Sequence, residues 1–161
     1  MATQQCNCGY LGDAANPSRC RCTPDQIARY RAKLSGPLLD RIDMHIEVPR
    51  VPQEILTAPS PRDEPTSEQI RKQVEAVQAL QVARQGVLNS KLGVKQIDEI
   101  CVLDKASQQL INRAMNQLGL SARGYHRILK LARSIADLSA SEAIGQMHLA
   151  QAIQFRSLDR Q

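Results

Sequence analysis

The sequence predicts a mainly α-helical protein, and three observations carry that prediction. Only 2% of the 161 residues are aromatic, so the core has to be aliphatic, which suits helices packing on helices better than a sheet sandwich. From Thr66 onward, apolar residues recur at helical spacing. The run from Met44 to Val48 alternates like one short strand and ends at Pro49, but a single strand needs partners from elsewhere.

The first half of the chain is predicted to hold one helix, one strand and a linker. Residues 1–34 are rich in Cys, Gly, Pro and Arg, and Thr23 can cap a basic helix with Pro24 in its first turn. A turn at Gly36-Pro37 precedes the strand at 44–48. The stretch from position 49 to 65 carries five prolines and is predicted to be a linker or loop.

Four amphipathic helices are predicted after this linker, and together they make a small bundle. Their start and stop signals are the capping box Thr66-x-x-Gln69, Gly86, Asp104, Gly119, Ser121 and Gly145. The predicted apolar faces are Ile70, Val74 and Val77; Leu110, Ile111, Ala114 and Met115; Ile128, Leu131, Ala132, Ile135 and Leu138; and Leu149, Ala152, Ile153 and Phe155.

Net charge and targeting signals limit the possible partners and location of the protein but do not indicate a particular function. The formal charge of +5 and the pI near 9.1 favour contact with polyanions such as DNA or nucleotide phosphates, although a merely basic protein fits equally well. No apolar run is long enough for a membrane span, and the first residues lack a secretory signal. We therefore expect a cytoplasmic protein with no membrane partner, whose cysteines are reduced.

The most specific local motif is a pair of Cys-x-Cys sequences, Cys6-x-Cys8 and Cys20-x-Cys22. Four thiolates from two short loops can close a tetrahedral Zn(II) site, which would be structural because no ligand position is left for a substrate. Disulfides and free thiols are the alternatives. Cys101 stands apart in an apolar context and is expected to be a buried small hydrophobe.

Arg41 is the second candidate for function. It stands between Asp40 and Asp43, just before the predicted strand. Chemistry alone allows a local ion pair, or a guanidinium that projects toward a phosphate and stabilises charge during phosphoryl transfer. Residue types and spacing leave both interpretations open.

Four segments of the chain closely resemble the ComM/YifB proteins, which are magnesium-chelatase-related members of the AAA+ ATPases. They are Cys8-Gly-Tyr-Leu-Gly-Asp13, the run from Cys20 through Leu34-Ser-Gly-Pro-Leu-Leu-Asp-Arg-Ile-Asp43, and Leu120-Ser-Ala-Arg-Gly-Tyr-His-Arg-Ile-Leu-Lys-Leu-Ala-Arg-Ser-Ile-Ala-Asp-Leu138 with His148-Leu-Ala-Gln-Ala-Ile-Gln-Phe-Arg156. The resemblance spans nearly the whole chain and is weakest in the linker.

This resemblance implies an ATP-driven hexameric ring of identical subunits that acts on DNA by branch migration. Arg41 would be the arginine finger that reaches the ATP of the next subunit. Arg123 would be the sensor-2 arginine, although a solvated arginine at a helix start is its alternative. Residues 1–52 would be the C-terminal end of the nucleotide-binding α/β P-loop core, 53–65 the linker, and 66–161 the helical AAA+ lid.

Two departures from the family pattern shape the expected activity. The chain has neither a Gly-x-x-x-x-Gly-Lys-Ser/Thr loop nor an acidic strand end, both of which the family carries upstream. Gln4 and Gln5 stand where many relatives have Asn-Pro, so the sequence does not assign the sensor-1 role to a particular residue. We therefore expect a C-terminal fragment that is inactive alone, with ATP and Mg(II) bound only by the full-length protein. The alternatives are a standalone zinc-stapled adaptor for DNA or protein, and a subunit of a magnesium-chelatase-type metal-insertion ATPase.

Overall fold

The computed structural model describes residues 4–13, 16–35, 41–48 and 64–156, together with Leu38 and Val51. The described residues fall into two compact units. One comprises those up to position 38 with 46–48 and 51, and the other comprises 41–45 with 64–156. The predicted turn at Gly36-Pro37 and most of the predicted linker lie outside the described residues. Within the described ranges, no helix combines the length and apolar character that crossing a bilayer requires.

The first unit contains the cysteine-bearing loop and a short helix, α1. A 3₁₀ turn, Pro17–Arg19, precedes α1, which runs over Pro24–Arg31. Thr23 caps α1 as predicted, because its hydroxyl accepts the amide of Gln26 at 3.3 Å while the Gln26 side chain accepts the amide of Thr23 at 3.0 Å. No residue of α1 is buried, so core packing contributes little to the stability of this helix.

The second unit is a bundle of five α-helices. They are α2 Ser67–Gln85, α3 Val94–Ile100, α4 Lys105–Leu118, α5 Ala122–Leu138 and α6 Gln146–Gln154, with a 3₁₀ turn at Asn89–Lys91. Four of the five were predicted, and their start and stop signals are confirmed. Thr66, Asp104 and Ser121 each accept an amide hydrogen bond as N-caps. The fifth, α3, has only seven residues, which is too short to show helical periodicity.

Helix α5 forms the centre of the bundle. It packs against α2, α3 and α6, while α4 packs on α6. The buried apolar residues common to these contacts are Leu92, Ile97, Cys101, Ile111, Ile128, Leu129, Ala132, Ile135, Ala136, Ile144, Leu149 and Ala152. Cys101 is thus the small buried hydrophobe that its context predicted. The mainly α-helical class is also confirmed.

Two sequence predictions fail on burial and pairing. Ile70, Val74 and Leu138 were assigned to apolar helix faces, yet all three are exposed. Ile70 and Val74 lie in the N-terminal part of α2, whose residues 67–76 are all exposed, and Leu138 is the last residue of α5. The strand predicted at 44–48 does not form. Within the described part of the chain, the one β-bridge joins Leu103 and Ile144 in parallel, so the 44–48 segment has no neighbour with which to build a ladder.

A buried charge cluster fastens α2 to α5. Asp137, on α5, accepts hydrogen bonds from both terminal nitrogens of Arg84 at 2.6 and 3.0 Å, from Asn89 at 2.8 Å and from Arg133 at 3.0 Å. The Asp137 side chain is fully buried. Burial acts to raise its pKa, but the hydrogen bonds from Arg84 and Asn89 and the charge of Arg133 hold the pKa below its usual value.

The same cluster closes the loop between α5 and α6. Arg133 is buried and donates to the carbonyl oxygens of Ser141 at 2.6 Å and Glu142 at 2.8 Å. This role was not predicted from the sequence. The available signal was an arginine and an aspartate one turn apart, Arg133 and Asp137, beside the apolar stripe of α5.

Candidate functional site

The four cysteines of the tetrad converge in the first unit, as predicted. The Sγ atoms of Cys6 and Cys8 lie 3.3 Å apart, those of Cys8 and Cys20 3.7 Å apart, and those of Cys6 and Cys20 3.9 Å apart. With Cys22, all four Sγ atoms lie within 4.8 Å of one another. None of them forms a disulfide. Four sulfurs this close could hold one metal ion.

Two glycines allow the loop to fold this tightly. Gly9 and Gly12 adopt φ values of +78° and +83°, which L-residues with side chains rarely adopt. A Cβ atom on Gly9 would lie 3.3 Å from the Gln4 side-chain oxygen, and one on Gly12 would lie 3.4 Å from that of Gln5. The two glutamines therefore lie against the cysteine loop.

Arg19 braces the loop between the two cysteine pairs. Its guanidinium lies 4.1 Å from the centre of the Tyr10 ring, a cation–π contact, and 3.9 Å from a carboxylate oxygen of Asp13. These contacts connect the segment after the first cysteine pair to the residue just before Cys20.

The thiols differ in their readiness to ionise. Burial acts to raise the pKa of Cys6, but hydrogen bonds with the Cys8 thiol and with nearby backbone amides lower it to about 6. A backbone hydrogen bond from Cys8 lowers the pKa of Cys22, but the Cys8 thiol, burial and the negative charge of Cys6 together raise it to about 11. A bound cation would remove this repulsion between thiolates, because it supplies positive charge among them.

Arg41, the predicted arginine finger, lies in the second unit and is exposed. Of its two flanking aspartates, Asp40 lies outside the described residues. Asp43 pairs with Arg127 of α5 instead of with Arg41. Within the described residues Arg41 makes no hydrogen bond or ion pair, so the local pair with Asp43 is not formed.

Arg123, the predicted sensor-2 residue, is the second residue of α5 and is exposed. Ser121 caps this helix and accepts the amide of Gly124 at 3.1 Å. The N-terminal end of a long helix carries partial positive charge, which attracts phosphate. The exposed guanidinium of Arg123 thus lies at the N-terminal, positive end of α5.

Several contacts of the Arg41 segment were not predicted. The main chain at Ile42 and His45 is bonded to Arg156 and Phe155, the two residues that follow α6. Arg127 pairs with Asp43 from α5. No local sequence signal indicates such contacts, because the partners are far apart along the chain.

Family models match both parts of the chain. The model for the C-terminal region of magnesium chelatase subunit ChlI matches residues 64–156, and the model for subunit ChlI itself matches residues 1–56. The chain therefore belongs to the magnesium chelatase ChlI family, as its motifs had indicated.

Individual relatives agree with this assignment. The competence protein ComM of Haemophilus influenzae is 46% identical over 140 residues, which are 87% of this chain and 27% of ComM. The YifB proteins of Salmonella typhimurium and Escherichia coli are each 39% identical over 140 residues, or 28% of their length. The chain thus spans less than a third of the length of these curated relatives.

Proposed function

We propose that this chain acts as the C-terminal part of an ATP-driven AAA+ motor that works on DNA as a ring of identical subunits. The carrying observation is the 46% identity to ComM over 87% of the chain. ComM is named as a competence protein, and competence concerns the handling of DNA that a cell takes up. In such a ring, Arg41 would contact the nucleotide bound by the neighbouring subunit, and Arg123 would contact the nucleotide bound by its own subunit.

The surroundings of Arg41 support its role as the finger. An arginine finger stabilises the negative charge that develops as the γ-phosphoryl group is transferred, so its guanidinium has to be available to a phosphate. Arg41 is exposed, and its neighbour Asp43 is engaged by Arg127. An arginine paired with a local carboxylate would first have to break that pair.

The position of Arg123 supports the sensor-2 role. Arg123 stands in the first turn of a helix of 17 residues, where the peptide dipoles and the orphan amides favour an anion. An exposed arginine at that position adds a full charge and a bidentate donor for phosphate oxygens.

The 161 residues contain no Gly-x-x-x-x-Gly-Lys-Ser/Thr loop, so they hold neither the phosphate cradle nor its lysine. We therefore expect the chain alone to hydrolyse no ATP. A chimaera in which the chain replaces the matched segment of Haemophilus ComM should hydrolyse ATP and bind it with the affinity of ComM. A phosphate-release assay on both proteins tests this. ATP hydrolysis that co-purifies with the isolated chain through successive purification steps would contradict the proposal.

We assign zinc to the four-cysteine site. A tetrahedral ion with Zn–S distances of about 2.3 Å holds its sulfurs about 3.8 Å apart. The distances of 3.3, 3.7 and 3.9 Å between the Sγ atoms of Cys6, Cys8 and Cys20 lie near that value. An all-thiolate donor set selects soft or borderline ions such as Zn²⁺ over Mg²⁺. The ion would fix the cysteine loop and leave no open position for catalysis.

Replacing Cys20 by serine is expected to abolish stoichiometric zinc binding, because a hydroxyl is a poor ligand for this ion and the remaining three thiolates leave the site open. Native mass spectrometry of the reduced chain checks the stoichiometry, which should fall from about one zinc to none. Cys101→Ala is the matched control, since Cys101 lies in the bundle core and should leave the stoichiometry unchanged. A folded, reduced parental chain without metal would contradict the assignment.

A second candidate function is that of an adaptor that binds DNA without a motor. It is favoured by Arg29 and Arg31 in the last turn of α1, a helix with no buried residue, and by Lys33 two residues after it. An adaptor of this kind binds DNA as an isolated chain with a steep salt dependence. Fluorescence anisotropy of labelled DNA at 50 and 200 mM salt distinguishes the two functions, because the motor proposal requires the ring for binding.

A further inference from the structure

We infer that Arg156 and Arg127 are positioning residues for Arg41, and that they fasten the finger segment to the helical bundle. This inference rests on the proposed function, since it assigns the support for the finger named there. The segment 41–45 and the bundle belong to the same compact unit. Three contacts connect them, and all three involve the residues directly after Arg41.

The first contact comes from Arg156, at the end of α6. Its side chain is fully buried, and one of its terminal nitrogens donates a hydrogen bond to the carbonyl oxygen of Ile42, the residue after Arg41. The amide of Arg156 donates to the carbonyl of Ile153 at 2.9 Å, which ties this arginine to the last turn of α6. A buried guanidinium bonded to a main-chain carbonyl restrains the backbone and not only a side chain.

The second contact is between backbones. The amide of His45 donates to the carbonyl oxygen of Phe155 at 2.7 Å, and the His45 side chain is buried at 8% exposure. Ile42 is thus bonded to Arg156 and His45 to Phe155, the two residues that follow α6. The backbone between them is held at both of its ends.

The third contact is the ion pair of Asp43 with Arg127. Arg127 lies one turn after Arg123 on α5, and residues four apart share a helix face. The face that carries the proposed sensor-2 arginine therefore also holds the finger segment. Because the Asp43 side chain is 67% exposed, this pair contributes little to stability, so its main effect is on position.

The consequence concerns the geometry of Arg41. A finger acts only when its guanidinium meets the transferred phosphoryl group, and a misplacement of about 1 Å can cost about a hundredfold in rate. Three contacts on residues 42, 43 and 45 fix the chain from which Arg41 projects. Since α5 also bears Arg123, a shift of α5 upon nucleotide binding would move the finger with it.

The ComM chimaera tests this inference. Arg127→Ala is expected to lower kcat for ATP hydrolysis by about tenfold and to leave KM within about twofold, because positioning affects the transition state more than nucleotide binding. The double variant Asp43→Arg with Arg127→Asp should recover kcat to within about threefold, since it restores an ion pair. Arg113→Ala, an exposed arginine on α4, is the control and should keep the parental rate.

The outcomes separate the inference from the proposed function. If Arg41→Ala abolishes hydrolysis while Arg127→Ala keeps the parental kcat, the finger stands and the positioning role is overturned. If Arg127→Ala lowers kcat and the double variant Asp43→Arg with Arg127→Asp does not recover it, the positioning role is also overturned. If Arg41→Ala has no effect on ATP hydrolysis, the proposed function is wrong, and the inference that rests on it is wrong as well.

Amide exchange on the 161-residue chain gives a second readout that needs no ATPase activity. The amide of His45 should exchange at least about tenfold more slowly than an unprotected amide, because it is bonded to Phe155. Arg127→Ala should accelerate exchange over residues 42–45, and Arg113→Ala should not. Unprotected exchange at His45 in the parental chain would overturn the inference.

Discussion

Replacing Arg41 by alanine in the ComM chimaera is expected to lower the rate of ATP hydrolysis by about a thousandfold or more. The guanidinium stabilises charge that exists only in the transition state, so ATP should bind with an unchanged Kd. Single-turnover hydrolysis and nucleotide-binding titrations together measure both quantities. Arg71→Ala, an exposed arginine on α2, is the matched control and should retain the parental rate.

A mixing experiment tests whether Arg41 acts between subunits. Subunits with Arg41→Ala lack the finger but keep an intact phosphate loop in the ComM part of the chimaera. Subunits with a substituted phosphate-loop lysine keep the finger. A mixture of the two should recover part of the activity, because some interfaces then join a complete loop to a complete finger. Parental hydrolysis by the Arg41→Ala chimaera on its own would disprove the finger assignment.

Replacing Asp137 by asparagine is expected to destabilise the helical bundle by about 3–5 kcal/mol. The amide keeps the size of the carboxylate but leaves the buried Arg133 and the partly buried Arg84 without a counter-charge. A loss of this size is a large fraction of the 5–15 kcal/mol that typically holds a domain together. Urea unfolding followed by circular dichroism measures it. Asp98→Asn, an exposed change of the same chemistry, should have little effect.

The same carboxylate makes the bundle sensitive to acid. The pKa of Asp137 is lowered in the folded chain, so its contribution is complete above its unfolded pKa of about 3.9 and is lost as the pH falls through the folded value. The parental chain should therefore lose stability steeply only below about pH 4. The Asp137→Asn variant lacks this contribution, and its stability should change less over that range. Equal acid sensitivity of the two chains would contradict the role given to Asp137.

The parts of the fold that depend on neighbouring residues were predictable from sequence. N-caps at Thr23, Thr66 and Asp104 and the glycine stops at Gly86 and Gly119 act within one helical turn, and all are present in the structure. The cysteine tetrad was predictable for the same reason, since its spacing alone suggests two chelating pairs. Local chemistry therefore predicted most helix ends and the clustering of the four cysteines.

The parts that depend on distant partners were not predictable. The burial of a helix face requires another element to cover it, and Ile70 and Val74 have the right spacing on α2 but no cover among the described residues. The pairing of Asp43 with Arg127 and the bond from Arg156 to Ile42 join segments far apart along the chain. Such contacts are set by the tertiary fold, which a single sequence does not reveal.

Helix α2 joins the bundle near its C-terminal end, at Gln81 and Arg84, while its first ten residues, 67–76, are all exposed. Ten residues of α-helix measure about 15 Å, so this part of α2 is a stiff lever that ends where the chain enters the bundle. From Ser67 to Gln81 the helix measures about 21 Å, so a rotation of the bundle by about 10° about the anchored end moves Ser67 by about 4 Å. Small rotations at the anchored end thus become ångström-scale movements of Ser67, and a force applied at Ser67 acts on the anchored end through the same lever arm.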